Sequence, residues 1–370
     1  MVTPDRWQRT GYGAELRRLI ADQYHLRIQV DASEQPVFSK DVDAYPAISV
    51  ITRRPPGATR LARISAVTPA ALDTLAKALC EPAPGVADSP TVHSVPGYAR
   101  REGPWWRGTP EHIGLIDRLS QTFPPLKAIG CNVSNGLATG ANHVYVAKLE
   151  PGSEAATVED RFWVPTVLPG DVSSGSVVWS GHYLLHLWTD DDKLVDPVGY
   201  PGLDAYLQSK RADLSSRYVA RSDPTTWFRT IDRPRPGLLR TPKLLIADIL
   251  QVPRFALDAE GRFYPRNGVY VLVSSEWPLP ALRLILESGL ARLFLSATSP
   301  TVRAGSVRCQ AQYLRDIPLQ PWHQVPAKLK RALTEAAGSR APRPDLLAQL
   351  FDLSSGEEQL ITTGTEPSRG

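Results

Sequence analysis

Ala47 to Thr52, AISVIT, is nearly continuous in hydrophobicity, and such a strand is stable only inside a sheet covered on both faces. That demand constrains everything around it. Leu26 to Val30 offers a second short strand. Leu16, Leu19, Ile20 and Tyr24 recur at spacings of three and four, which predicts a helix over 13–24 with one apolar face. About fifty residues with two strands cannot cover their own apolar surfaces. The region to Arg54 therefore reads as the last helix and last two strands of an open α/β sheet. Val2-Thr3-Pro4 reads as the end of a strand that would feed the helix.

Further along, Pro69 to Leu79 is helical in pattern. Residues 81–109 are rich in Pro and Gly, end near Trp105-Trp106, and read as a linker. From Pro110 the pattern becomes mixed. Strands are expected at His143–Lys148, His182–Trp188, Lys243–Ile249 and Gly268–Ser274, with a hairpin turn at Asp258–Gly261. Helices are expected at Leu203–Arg217, Ala281–Ser296, Ala327–Ala337 and Asp345–Leu350. The fold class is an α/β remnant over 1–80 followed by a mixed α+β domain over 110–353. Residues 354–370 are poor in apolar side chains and are expected to be disordered.

Several function classes are disfavoured by what the chain does not contain. No apolar run reaches the roughly 18 residues of a membrane span, so no membrane partner and a cytoplasmic location are expected. Cys80, Cys131 and Cys309 are odd in number and widely spaced, which suits buried thiols and neither a disulfide framework nor a zinc site. No glycine-rich turn stands between a strand and a helix, as a bound nucleotide cofactor would require. Asp190-Asp191-Asp192-Lys193 has nuclease-like residue types, but consecutive acids diverge and suit a solvated turn, so no metal ligands are assigned. The net charge is only +4, yet between Tyr206 and Lys243 nine basic residues face three acids. That stretch is either a solvated surface or a field for polyanions.

Six stretches, taken together and in order, resemble a known family: PVFSKDVDAYPAISVI (36–51), CNVSNGLATGANHVYV (131–146), YPGLDAYLQSKRADLSSR (200–217), TTWFRTIDR (225–233), KLLIADI (243–249) and VRAGSVRCQAQYLRDIPL (302–319). They are similar to the C-terminal part of adenine-N6 DNA methyltransferases with a TaqI-like specificity domain, from Thr3 to about Pro321. The resemblance implies a doubly wound catalytic sheet whose S-adenosylmethionine motifs and NPPY loop precede the point matched by VTPDRW. Asp196-Pro197-Val198-Gly199-Tyr200 has neither the place nor the spacing of NPPY. The implied protein is the tail of a catalytic domain plus a complete target-recognition domain. S-adenosyl-L-methionine would be held by a partner chain, an N-terminal-half subunit docking on Leu16, Leu19, Ile20 and the strand at 47–52. The DNA substrate would be double-stranded, in a restriction-modification or phage-defence system.

Site residues follow from the same resemblance. An adenine must leave the duplex before its amino group can react, and Phe38 matches the aromatic that stacks on it. Phosphate neutralisation falls to the basic stretch, with Lys210, Arg211 and above all Arg229 and Arg233 as DNA contacts. Trp227 either interleaves with these or anchors them from the core. In the Gly-rich element, Gly136 and Gly140 are free to adopt left-handed angles, and Thr139 and Asn142 can donate to phosphate or base. A purely structural turn is the alternative. Arg303, Gly305 and Arg308 form a third candidate contact. A stand-alone DNA-binding module, an inactive gene fragment and an unrelated nuclease are the competing functions.

Overall fold

The computed structural model describes residues 1–33, 46–64, 66–80, 92–189, 191–299, 306–339 and 343–363. The chain forms two compact units. The first comprises Met1–Phe123, Ser288–Arg308 and Leu347–Gly370; the second comprises Pro124–Glu287 and Cys309–Leu346.

The first unit is built on a five-stranded sheet in the order β1-β3-β2-β4-β5, with β1 Val2–Pro4, β2 His25–Asp31, β3 Pro46–Thr52, β4 Thr59–Arg63 and β5 Val92–Val95. The apolar strand that demanded cover is β3, an interior strand antiparallel to both β1 (Val2↔Ile48) and β2 (Val30↔Ile48). β2 and β4 run parallel, pairing Val30 with Ala62. Two of the five strands went unread in the sequence. β4, TRLAR, carries two arginines in five residues, and β5 falls within the stretch taken for a linker.

That linker reading needs correction. Trp105 is fully buried and meets Trp7 edge to face at 5.4 Å, and Trp106 packs against Phe294. The Trp pair is core, so residues 92–109 are part of the first unit. Helix α3 (Pro110–Thr122) belongs there too, burying Ile113, Leu115, Ile116 and Leu119. The second unit therefore starts at Pro124, not at 110. The C-terminal stretch returns to the first unit as a helix, Ser355–Thr363, where Arg118 grips both carboxylate oxygens of Glu357 at 2.9 Å. The expected disorder from 354 is thereby overturned as far as 363.

Helix α1 (Ala14–Gln23) buries Arg17 and Ile20 and leaves Leu16 and Leu19 at 41% and 43% exposure. Arg17 is taken inward because its guanidinium satisfies the carbonyls of Trp7, Thr10 and Gly103. The expected docking face thus divides. Ile20 is buried and β3 is interior, so only Leu16, Leu19 and the edge strand β1 remain presentable. The last helix of this region, α2 (Pro69–Cys80), buries Leu79 against the sheet.

The second unit holds two four-stranded sheets, β12-β10-β14-β6 and β13-β8-β9-β7, which share one apolar core. Their strands are β6 Cys131–Asn135, β7 Val146–Ala147, β8 Trp163–Val167, β9 Tyr183–Leu185, β10 Lys243–Ala247, β12 Ala256–Asp258, β13 Tyr264–Pro265 and β14 Val269–Ser274, with a further short strand β11 at Ile249–Leu250. Short helices α4 (Asn142–Tyr145), α5 (Pro169–Val172), α6 (Pro201–Ser209), α7 (Arg211–Ser215) and α8 (Tyr218–Ser222) connect them. The expected strand at His143–Lys148 is in fact α4 followed by β7. Asp258 does not turn a hairpin. Its carboxylate accepts from the backbone N–H groups of Arg262 and Phe263 and sends the chain on to β13, which pairs parallel with β8. The helix expected at Ala281–Ser296 is broken at Glu287: α9 (Leu279–Leu286) packs in the second unit, and a separate helix, Gly289–Thr298, lies in the first.

Candidate nucleic-acid interface

Contrary to the expectation that no glycine-rich turn stands between a strand and a helix, the Gly-rich element leaves β6 and enters the one-turn helix α4, and its backbone is pinned at both glycines for different reasons. Gly136 donates to the Val269 carbonyl at 2.8 Å, and a Cβ on it would lie 2.3 Å from the backbone oxygen of Arg266. Close backbone approach, not a left-handed angle, requires glycine there. Gly140 does take the left-handed conformation, at φ +76°, and its bare Cα seats the Ile231 side chain, which an added Cβ would meet at 2.5 Å. Thr139 is turned inward and buried. Its hydroxyl donates to Asn142 Oδ1 at 2.8 Å and accepts from the Ala141 N–H. The contact expected of Thr139 with DNA is thereby spent inside the protein, while Asn142 stays exposed.

The second basic element folds against the first. Trp227 and Phe228 enter the core, so Trp227 is the anchor and not an interleaved surface ring. The chain then pairs with the Gly-rich loop: Ile231 N–H donates to Thr139 O at 3.2 Å, Asp232 N–H to Ala138 O at 3.0 Å, and Asp232 Oδ2 accepts from the Ala138 N–H at 2.9 Å. Arg217 ties the two together. Its guanidinium reaches the carbonyls of Thr139 (3.1 Å), Trp227 (2.9 Å), Arg229 (2.9 Å) and Leu214 (3.0 Å) and the Tyr145 hydroxyl (3.2 Å). Tyr145 in turn donates to the Phe228 carbonyl, and burial pushes its phenol up to about 12. Arg217 escaped the sequence reading as a special residue because composition counts charges and is blind to carbonyls.

The remaining cations have separate fates. Arg229 is half-buried at its base, and among the described residues its guanidinium has no hydrogen bond or ion pair. Arg233 stacks over Trp188 at 4.9 Å and forms a two-pronged ion pair with Asp192, a residue in the left-handed region at φ +61°. Lys210 is paired with Glu154, and Arg211 lies over the Trp227 ring at 4.8 Å. Lys243, counted in the basic stretch, is fully buried. Its ammonium is held by Asp258 and by the carbonyls of Leu238 and Thr241, so it is no part of a surface field. Arg235 donates to Ser134 Oγ at 3.0 Å, across the face of β6, a contact that sequence spacing does not signal. Arg308 falls in the first unit. Arg303, Gly305 and Phe38 lie outside the described residues.

In the first unit a cavity of about 400 Å³ opens where β1, β2 and β4, all running the same way, reach their carboxyl ends. Asp5, Asp31, Arg63 and His93 line it. Asp5 is paired with Arg9 and Arg107. Asp31 and Ala47, also lining, bracket the segment that carries Phe38. Among the described residues no glycine turn forms a nucleotide-cofactor cradle there. Among the described residues the turn after β4 has no glycine, and Gly13 after β1 is taken up by the Trp7 carbonyl, which its Cβ would strike.

No family model matches the chain. It is 38% identical over 339 residues to the type II methyltransferase M.PaeR7I of Pseudomonas aeruginosa, covering 92% of this chain and 58% of that protein. To M.XhoI of Xanthomonas vasicola it is 35% identical over 368 residues, covering 98% of this chain and 66% of that protein. The chain thus spans about three fifths of these relatives' length. A type IIL restriction-modification enzyme, MmeI, solved in complex with DNA, shares the fold at a TM-score of 0.56 and 13% identity, over 98% of this chain and 45% of that one. Nearly every residue of the chain aligns with proteins of one kind, and it belongs to the type II methyltransferases.

Proposed function

We propose that this chain is the DNA target-recognition portion, with a TaqI-like specificity domain, of a site-specific adenine-N6 DNA methyltransferase. The second unit grips double-stranded DNA, and the first unit is the tail of the catalytic domain. Methyl transfer from S-adenosyl-L-methionine then needs an N-terminal half that supplies the cofactor site and the NPPY loop. The observation that carries this reading is the pair of loops joined by Arg217. Two elements far apart in sequence, both singled out as DNA contacts, form one surface bearing Arg229, Arg233 and Asn142. Direct readout requires such a fixed platform, because phosphate contacts set register before any base edge is read. The exposed Leu16 and Leu19, together with β1 at the edge of the sheet, give the companion half an apolar seat and an open strand.

This chain's own part in catalysis is to bind and orient. Phe38 would supply the flat face for the extruded adenine, while the second unit places the duplex. The test is to mix the chain with an N-terminal half containing NPPY, labelled S-adenosylmethionine and duplex DNA. Label should enter adenine in the mixture and not with either chain alone. Methylation by this chain unaided would overturn the proposed division of labour.

A further inference from the structure

We propose that Ile231 is an apolar wedge that enters the base stack of bound DNA and opens one base step, an inference that rests on the DNA-binding reading above. Ile231 is 47% exposed, whereas Thr230 before it is buried and Trp227 and Phe228 sit in the core. Leaving much of an isoleucine in water forgoes part of the stabilisation that burying it would contribute. A scattered exposed apolar residue is ordinary on any surface; this one is unusual in how firmly it is held.

Its own N–H is bound to Thr139 O, and the next N–H to Ala138 O. The Thr230 hydroxyl donates to the Asp232 carbonyl at 2.5 Å, closing the turn around it. Its side chain rests on Gly140, where any Cβ would displace it. Arg217 clamps the carbonyls on both sides of the seat, at Thr139 and Arg229. A β-branched side chain has few rotamers to lose, so such a group is pre-organised for insertion.

The charges fit the same act. Arg229 stands two residues before Ile231 and Arg233, paired with Asp192, two residues after it, so the apolar side chain is flanked along the chain by cations able to meet phosphates. Proteins that kink DNA insert Phe, Leu, Ile, Met or Pro in this way and offset the cost of the unstacked step with added contacts. Here unstacking would help the extrusion of a target base, because a base next to an opened step has lost part of its stacking. Ile231 is then a positioning residue: it acts on the duplex and touches no reacting atom.

The experiment uses the full chain and a duplex enriched from a random-sequence pool by the wild-type protein, with 2-aminopurine placed singly at successive positions. Wild type should raise the fluorescence several-fold at one step. Ile231→Ala and Ile231→Ser should lose that rise, and Ile231→Leu should retain it. Thermal melting of the exposed-site variants should match wild type, and the salt dependence of binding should not change, since phosphate contacts remain. A rise that persists in Ile231→Ala, or its absence at every position with wild type bound, overturns the wedge and leaves DNA binding intact. If wild type enriches no duplex, the DNA-binding reading fails and the wedge with it.

Discussion

Arg217 Nη1 lies 3.1 Å from the Thr139 carbonyl oxygen, so the charge at the centre of the basic stretch faces inward, toward protein oxygens. The same guanidinium closes on the carbonyls of Trp227 and Arg229, which makes it the joint between two loops that sequence separates by about ninety residues. A guanidinium suits this role because its fork of donors is rigid and always charged.

Arg217→Ala should therefore act as a folding mutation. Several carbonyls and the Tyr145 hydroxyl lose their donor together, and a buried group left without a partner costs about 1–3 kcal/mol. Urea unfolding should show a loss of at least about 2 kcal/mol, with DNA affinity falling at every sequence tested. A variant as stable as wild type would remove the joint.

Arg229 and Arg233 should behave differently in salt titrations. Arg229→Ala should lower the slope of log affinity against log salt by about 1, as expected for one lost phosphate contact. Arg233 is held by Asp192 in the structure, so Arg233→Ala should change the slope less. Asp192→Asn keeps a residue that tolerates the left-handed angle and releases the guanidinium, so binding should tighten and steepen. Equal slopes for Arg229→Ala and wild type would take Arg229 out of the interface.

The two glycines of the recognition loop should fail for distinct reasons. Gly140→Ala forces a Cβ into a left-handed residue, at about 1–3 kcal/mol, and against Ile231. Truncating Ile231 in the same chain should return the steric part of that loss and not the backbone part. Gly136→Ala meets the Arg266 backbone and should gain nothing from the Ile231 truncation. A double-mutant cycle on thermal or urea unfolding separates the two.

The thiols give a pH-dependent check. Burial pushes Cys131 up to about 11 and Cys309 up to about 12, whereas Cys80 is exposed. A raised thiol pKa means that the neutral, unreactive form persists as pH rises, so at pH 8 the native protein should release one equivalent from a thiol reagent and the denatured protein three. Rapid reaction of three thiols in the native protein would contradict the buried placement of Cys131 and Cys309.

Much of the local architecture was legible. AISVIT demanded an interior strand and became β3, and the three-four spacing in 13–24 became α1. The Trp105-Trp106 pair was misplaced because Pro and Gly nearby signal a linker, while the packing of Trp105 on Trp7 is visible only when the distant segment is present. The return of residues 347–363 to the first unit could not be read for the same reason: Arg118 and Glu357 are a surface pair to any local pattern. At the candidate site, residue type singled out the two loops that the fold then joins. It could not say that Thr139 turns inward, that Lys243 is buried or that Arg233 is held by Asp192.

The order of residues by itself determined the strongly periodic segments such as β3 and α1, where charge is concentrated and which family the chain resembles, because periodicity and motif are properties of neighbours along the chain. Tertiary structure alone decided which cations face outward. Whether an arginine meets water or a carbonyl oxygen depends on what folds back beside it, and the carbonyls that capture Arg217 come from residues 139, 214, 227 and 229.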